Sequence, residues 1–378
     1  MRLEPFALER WMTRWELDVD FDICESGILP LSLDALYELF DDDVKASLRQ
    51  ELSSMPLGYS EARGTLALRS ALAATHRGVS PDDILVTTGA IEANFLVMNA
   101  LLEPGDHVVA VSPAYQQLHS VPRAIGAEVT PWPVLRGPNG YWFDLESLPA
   151  LLRSNTKLIV INSPHNPTGA ILRSDELDEV LNLARDRGAW VLSDEAYRWL
   201  EIPGGEQLVE PARNRYERAV SVGTMSKPFG MPGLRVGWIA ATSDLAERAW
   251  AMRDYVTLSP AKMSDAIARV AIEHRERIFA RNGAIMTANL ETARAWFSEN
   301  DDLVSWVEPR AALLAMMAYS LPIDSMTLAD RLAAEARVML APGSAFGMEG
   351  HLRIGIGQRP DLFAAGLDAT ARFLRGLA

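Results

Sequence analysis

Between residues 83 and 240 the chain repeatedly sets a short, largely apolar run beside a longer segment of helical length. The runs are DILVTTG at 83–89, HVVAVS at 107–112, KLIVIN at 157–162, AWVLSD at 189–194, RAVSVG at 218–223 and LRVGWIA at 234–240. Several are apolar along their whole length, as strands covered on both faces must be. The intervening segments include SEARGTLALRSALAATHRG, read as a helix capped by Ser60 and closed by Gly78. IEANFLVMNALLEPGD, a helix near 115–125, and SDELDEVLNLARDRG follow. Strand–helix alternation of this kind implies a parallel or mostly parallel sheet between two layers of helices.

Beyond about residue 255 the texture changes to a long helical stretch, about 262–298. DLVSWV, AALLAMMAY, RVML and HLRIGIG come next, with a last helix from about 361. That is the pattern of a smaller α+β domain. The first 45 residues, carrying Phe6, Trp11 and Trp15, read as an arm packing onto the C-terminal part, with Trp11 and Trp15 as packing residues. The expected organisation is an arm over 1–45, a large α/β domain over 46–258 and a small domain over 259–378. At 378 residues the chain is too long for one small core, which agrees with a large domain plus a smaller one.

A formal charge of −14 argues against a nucleic-acid partner, since phosphate backbones attract basic surfaces. The one cysteine, Cys24, cannot form an internal disulfide, and this fits a reducing, cytoplasmic setting. The first residues are interrupted by charges and do not read as a secretory leader. The longest apolar stretch falls well short of the ~20 residues of a membrane helix. The histidines and Cys24 have no metal-ligand spacing, so no metal is expected. The acidic run 41–43 reads as a solvated helix end.

Ligands of open α/β sheets sit outside the carboxyl ends of the strands. Five unusual segments fall there: Gly89-Ala90, Tyr115, NSPHNPTG (162–169), Asp194, and the loop that carries Lys227 and Arg235. Each alone has a bland reading as a turn glycine, a core aromatic, turn chemistry or a helix cap. Together on one rim they suggest shared chemistry. The start of a helix at Ala90 offers free N–H groups to a phosphate, and Arg235 a permanent bidentate charge. Tyr115 offers a face for a flat ring, Asp194 a carboxylate for a ring nitrogen, and Lys227 an amine for a carbonyl. A phosphate, a flat basic heteroaromatic ring and an aldehyde together describe pyridoxal 5′-phosphate.

With those residues assembled, the chain resembles the class I/II aminotransferases, the fold-type I pyridoxal-phosphate enzymes. The likeness runs from LGYSEARGTLALRSALA at 57–73 to HLRIGIG at 351–357 and rests chiefly on SPHNPTG, SDEAYRWL and TMSKPFGMPGLRVGW, in that order. It implies a large domain with a mostly parallel seven-stranded sheet between helices. It implies that Lys227 forms a Schiff base with the cofactor, Asp194 pairs with the ring nitrogen, and Asn166 and Tyr197 bond the ring's phenolic oxygen. It further implies that Tyr115 stacks on the ring, and that Gly89, Ala90, Thr224 and Arg235 hold the phosphate. Ile91 belongs to the same cofactor-binding segment, though it brings no side-chain donor. Tyr59 is implied to reach the phosphate site of a second subunit in a homodimer. Arg353 is implied to bind the substrate α-carboxylate, with Asn166 and Gly27 beside the substrate.

The reaction implied is transfer of an α-amino group between an L-amino acid and a 2-oxo acid. The arm FALERWMTRWELDVDFDICESGILPLSLDAL departs from the common start of such enzymes. It is closer to a branch that includes capreomycidine-synthase-like cyclases, in which the same cofactor serves elimination and ring closure. Two other rivals fare worse. TMSK echoes the lysine loop of class I aminoacyl-tRNA synthetases, but no histidine stands in the partner motif they need. Regulators with an aminotransferase-like domain need a helix-turn-helix module, and none fits. His165 reads as a loop histidine beside Asn166. Lys262 and Ser259 read equally as helix-capping residues and as substrate contacts.

Overall fold

The computed structural model describes residues 2–137 and 140–377. Its main sheet has eight strands, in the order Ile84–Thr87, Gly237–Ala240, Ala219–Thr224, Trp190–Asp194, Thr156–Asn162, His107–Ser112, Glu128–Gly137 and Gly140–Phe143. The strands from Ala219–Thr224 through Glu128–Gly137 run parallel. Gly237–Ala240 is antiparallel to both of its neighbours, and Gly140–Phe143 is antiparallel to Glu128–Gly137. The eighth strand, beyond the seven expected, is therefore the return arm of an edge hairpin. Strands Ile84–Thr87, Ala219–Thr224 and Gly237–Ala240 are buried at every position, which helices on both faces require.

The first expected helix begins later than the sequence suggested. Helix Leu66–Ala73 is capped by Thr65, whose hydroxyl accepts from the Leu68 amide, not by Ser60. Thr65 is held in turn by Asp265, which accepts from both its amide and its hydroxyl, so a tertiary contact decides the boundary. Gly78 takes a left-handed φ of +70° after this helix has ended. The long C-terminal helical stretch is two helices, Lys262–Glu273 and Arg275–Glu299, separated at His274. No side chain caps the helix at Lys262, and neither Lys262 nor Ser259 reaches the cavity described below. The acidic run 41–43 is exposed at the start of helix Asp42–Ser54, as expected, and Asp41 there makes a double hydrogen bond to Arg277.

The smaller sheet is antiparallel, in the order Val304–Trp306, Leu314–Tyr319, His351–Gly355, Ala341–Pro342. It packs with helices Arg275–Glu299 and Pro360–Arg375 around Leu290, Trp296, Leu314, Ile354 and Phe363. The arm divides between the two cores. Helix Ala7–Trp15 and residues 23–28 join the small-domain core through Leu8, Trp11, Ile23 and Ile28, and strand Phe21–Asp22 pairs with Val338–Met339. Leu36, Tyr37 and Phe40 instead join a cluster with Leu68, Val86, Phe229 and Trp238. Both indole N–H groups of Trp11 and Trp15 donate to Asp330, at 2.9 and 2.8 Å. Among the described residues no helix is long and apolar enough to cross a membrane.

Candidate active site

Where the arm, the carboxyl rim of the main sheet and the small sheet meet, a cavity of about 410 Å³ opens. Of the residues singled out from sequence, Ala90, Ile91, Tyr115, Asn166, Asp194, Tyr197, Thr224, Lys227, Arg235 and Arg353 all line it. Gly89 lies immediately behind, and Gly27 is buried against the Lys227 loop. Tyr59 does not line the cavity and is 86% exposed. His165 is fully buried, bonded to Thr168 and to the Pro113 carbonyl, and burial lowers its pKa to about 4. It is a neutral structural group, as expected of a loop histidine.

Lys227 follows strand Ala219–Thr224, which delivers it to the rim. The strand's exit is fixed by Thr224, which accepts from the Ser226 amide, and by the Met225 amide bonded to Val236. The amine donates to the Ser26 hydroxyl at 2.7 Å and lies 3.4 Å from a Glu25 carboxylate oxygen. Burial works against the ammonium. Glu25, followed by Tyr197, outweighs it, and the amine is held above its ordinary range. The same pairing is the main cause holding Glu25 below the usual carboxylate range.

Asp194 ends its strand fully inside the protein. One carboxylate oxygen accepts from Asn94 at 2.9 Å and the other from the Ala196 amide at 3.1 Å. No helix follows this strand, so the second bond closes an Asx turn and is not the helix cap that an aspartate at a strand end often makes. Burial raises its pKa to about 6, and the two hydrogen bonds only partly offset that. A buried carboxylate in this state calls for a cation directly in front of it.

At the other end, Gly89 precedes helix Ala90–Leu101 with φ +84°, where a Cβ would meet the Arg235 guanidinium at 2.8 Å. Strand Gly237–Ala240 crosses so close that a Cβ at Gly237 would stand 2.4 Å from the Gly89 carbonyl carbon. Arg235 donates to the Pro232 carbonyl at 2.9 Å and the Thr88 carbonyl at 3.3 Å, and its further contact, Ser226, is also neutral. An uncompensated guanidinium beside an uncapped helix start forms an anion cradle.

Arg353, on strand His351–Gly355, is 1% exposed and donates to Asn166 Oδ1 at 3.1 Å and to the Cys24 carbonyl at 2.9 Å. Its Nε has no partner among the described residues. Burying a guanidinium on neutral partners is costly unless a carboxylate joins it. Asn166 is itself set by Asn162, whose side-chain oxygen accepts the Asn166 amide at 2.8 Å.

Several lining residues escaped the sequence reading: Asn94, Asn162, Glu25, Ser26 and Glu9. Asn94 had a visible signal, as one of the few polar residues in a mostly apolar helix. Glu25, Ser26 and Glu9 come from the arm; the resemblance had put Gly27, next to Ser26, beside the substrate, while nothing local to Glu9 announces the cavity.

Residues 31–365 match the family model described as aminotransferase class I and II. Capreomycidine synthase of Streptomyces vinaceus is 33% identical over 361 residues, covering 95% of this chain and 91% of that protein. A crystal structure of a PLP-dependent aminotransferase from Streptococcus suis 89-1591 superposes with a TM-score of 0.93 at 33% identity, covering 100% of this chain and 99% of that one. The PLP-dependent cyclase OrfR superposes with a TM-score of 0.89 at 31% identity, again covering 100% and 99%.

Proposed function

The chain belongs to the class I and II aminotransferase family, whose cofactor is pyridoxal 5′-phosphate, and from that premise we propose that it is an aminotransferase. It moves an α-amino group between an L-amino acid and a 2-oxo acid, with Lys227 as the residue joined to the cofactor. One observation carries this reading. A single cavity presents an amine, a buried carboxylate lacking a cation, an anion cradle and a buried guanidinium lacking a carboxylate. Those four features fit the cofactor's aldehyde, its ring nitrogen, its phosphate and a substrate α-carboxylate respectively.

When bound, the cofactor supplies an aldehyde that condenses with amines and a ring that accepts electron density from the substrate α-carbon. Asp194 would set a negative charge opposite the ring nitrogen and so favour its protonated form. Tyr197 and the Asn166 side chain would donate to the ring oxygen, and Tyr115 would cover the ring face. Gly89, Ala90 and Ile91 offer backbone at the helix start, and Arg235 and Thr224 complete the phosphate contacts. Arg353 binds and orients the substrate carboxylate, with Asn166 fixed beside it and Gly27 allowing close approach. Lys227 Nζ, free once a substrate amine takes its place, would accept the proton from the substrate α-carbon and deliver it to the carbon that supplied the aldehyde. Tyr59, exposed in one chain, reaches the phosphate site of a second copy in a homodimer.

A second reading is favoured by the likeness to capreomycidine synthase and to the cyclase OrfR. Under it the same residues serve elimination and cyclisation. The test is spectral. The yellow protein should lose its visible band with a suitable amino acid and regain it with a 2-oxo acid. Stoichiometric oxo-acid product, with pyridoxamine phosphate left on the protein, supports transamination. Release of a cyclised amino acid with the cofactor back in its aldehyde form would replace it by the second reading.

A further inference from the structure

We infer that Glu9, on the arm helix, is a positioning residue for Tyr115 and, through it, for the cofactor ring. The inference rests on Tyr115 covering that ring, as proposed above. The Tyr115 hydroxyl donates to Glu9 Oε1 at 2.7 Å, a hydrogen bond to a carboxylate that links residues 106 apart in sequence. Phe6 packs on the same tyrosine, with ring centroids 4.7 Å apart and planes at 45°. A tyrosine ring has two free torsions. A fixed hydroxyl at its far end and an aromatic on its flank remove both. Burial above all, followed by the Glu9 charge, pushes the phenol's pKa up, so Tyr115 stays a donor throughout the working pH range.

The neighbouring residue repeats the grip. The Gln116 side chain accepts from the Ala7 amide at 2.9 Å and donates to the Pro5 carbonyl at 3.1 Å. Leu8, Glu9 and Met12 all line the cavity, so this helix forms part of its wall. The other side of the helix is fastened to the small domain by the Asp330 bonds of Trp11 and Trp15. The ring-covering tyrosine of the large domain is thus oriented by an element that the small domain holds in place.

A merely structural role for Glu9 would fasten the arm and leave the ring's surroundings alone. Two readouts separate these. Visible-region circular dichroism of the holoenzyme reports the asymmetry of the ring's surroundings. Amide hydrogen exchange across residues 7–15, in the full chain without cofactor, reports the arm's attachment. Glu9→Ala and Tyr115→Phe should each weaken the visible dichroism, and the double variant should be no worse than either single, since both remove one bond. Glu9→Gln, which keeps an acceptor, should restore most of the signal. Exchange across 7–15 should quicken about fivefold in Tyr115→Phe, as expected when one net hydrogen bond is lost.

Normal dichroism in Glu9→Ala, beside a lost signal in Tyr115→Ala, overturns the inference and leaves the ring-covering role standing. Additive effects in the double variant overturn it too. An unchanged signal in Tyr115→Ala overturns the covering role and this inference together. If Glu9→Ala does not fold, Tyr115→Phe decides alone, because it keeps the ring and deletes only the hydroxyl.

Discussion

Asn94 donates its side-chain amide to Asp194 at 2.9 Å across one hundred residues of sequence. This ties the helix that begins at the anion cradle to the carboxylate that would face the cofactor ring. The helix start at Gly89 and the buried Asp194 carboxylate are therefore joined by one contact.

Lys227→Ala should abolish turnover. Borohydride reduction followed by peptide mapping should place a pyridoxyl group on residue 227 of the native protein and none on the variant. Retention of near-normal transamination by Lys227→Ala would sink the assignment.

The cofactor-free protein should show Asp194 in its stability curve. The native pKa is raised, from an ordinary 3.8 to about 6, so the carboxyl's contribution is present at low pH. It is lost as pH rises from about 4 to about 6, amounting to roughly 3 kcal/mol. His165 runs oppositely: its depressed pKa means stability present near pH 6.5 and lost as pH falls toward about 4. The check is therefore a difference. Denaturation midpoints of the native chain minus those of Asp194→Asn should fall across this window, where His165 cancels. A flat difference would contradict the burial argument.

Gly89→Ala should weaken cofactor binding by about tenfold or more. The methyl group would stand in the path of Arg235 and force a strained left-handed backbone, worth of order 1–3 kcal/mol. Fluorescence titration with pyridoxal phosphate measures this. Titration with pyridoxal, which lacks the phosphate, should show a much smaller difference between variant and native chains.

Arg353→Gln should reduce kcat/KM for amino acids by about 10²–10³-fold, the range for losing one member of a buried charge pair. Cofactor affinity should change little, since Arg353 stands at the substrate end. Equal losses in cofactor and substrate binding would show that the side chain supports the cavity as a whole.

Asp330→Ala should lower the unfolding free energy by about 1–3 kcal/mol, because both indole N–H groups lose their acceptor. Proteolysis should then release the arm first, ahead of the sheet core.

The legibility of this site followed a geometric rule. Lys227, Asp194, Asn166 and the Gly89 turn were readable because each follows a buried apolar strand, and strand ends in such sheets converge on one rim. Ser60 misled because capping chemistry was present there, while Thr65 won the role through Asp265, 200 residues away. Glu9 was silent for a similar reason, and Glu25 and Ser26 were passed over although Gly27 beside them was singled out. They approach the rim from the arm, and the register that brings them there is set by Trp11, Ile23 and Ile28 in the small-domain core. No periodicity in residues 7–28 encodes that encounter.

The Ser26 hydroxyl against Lys227 has a practical corollary for anyone trimming this protein. A version beginning after residue 30 would keep Gly89 and Arg235 at the anion cradle, and any such version that folds should still turn yellow with the vitamin derivative. It would, however, lack one whole side of its reaction chamber, and the Arg353 guanidinium would lose the Cys24 carbonyl that steadies it. Colour in such a shortened protein would be no guide to competence.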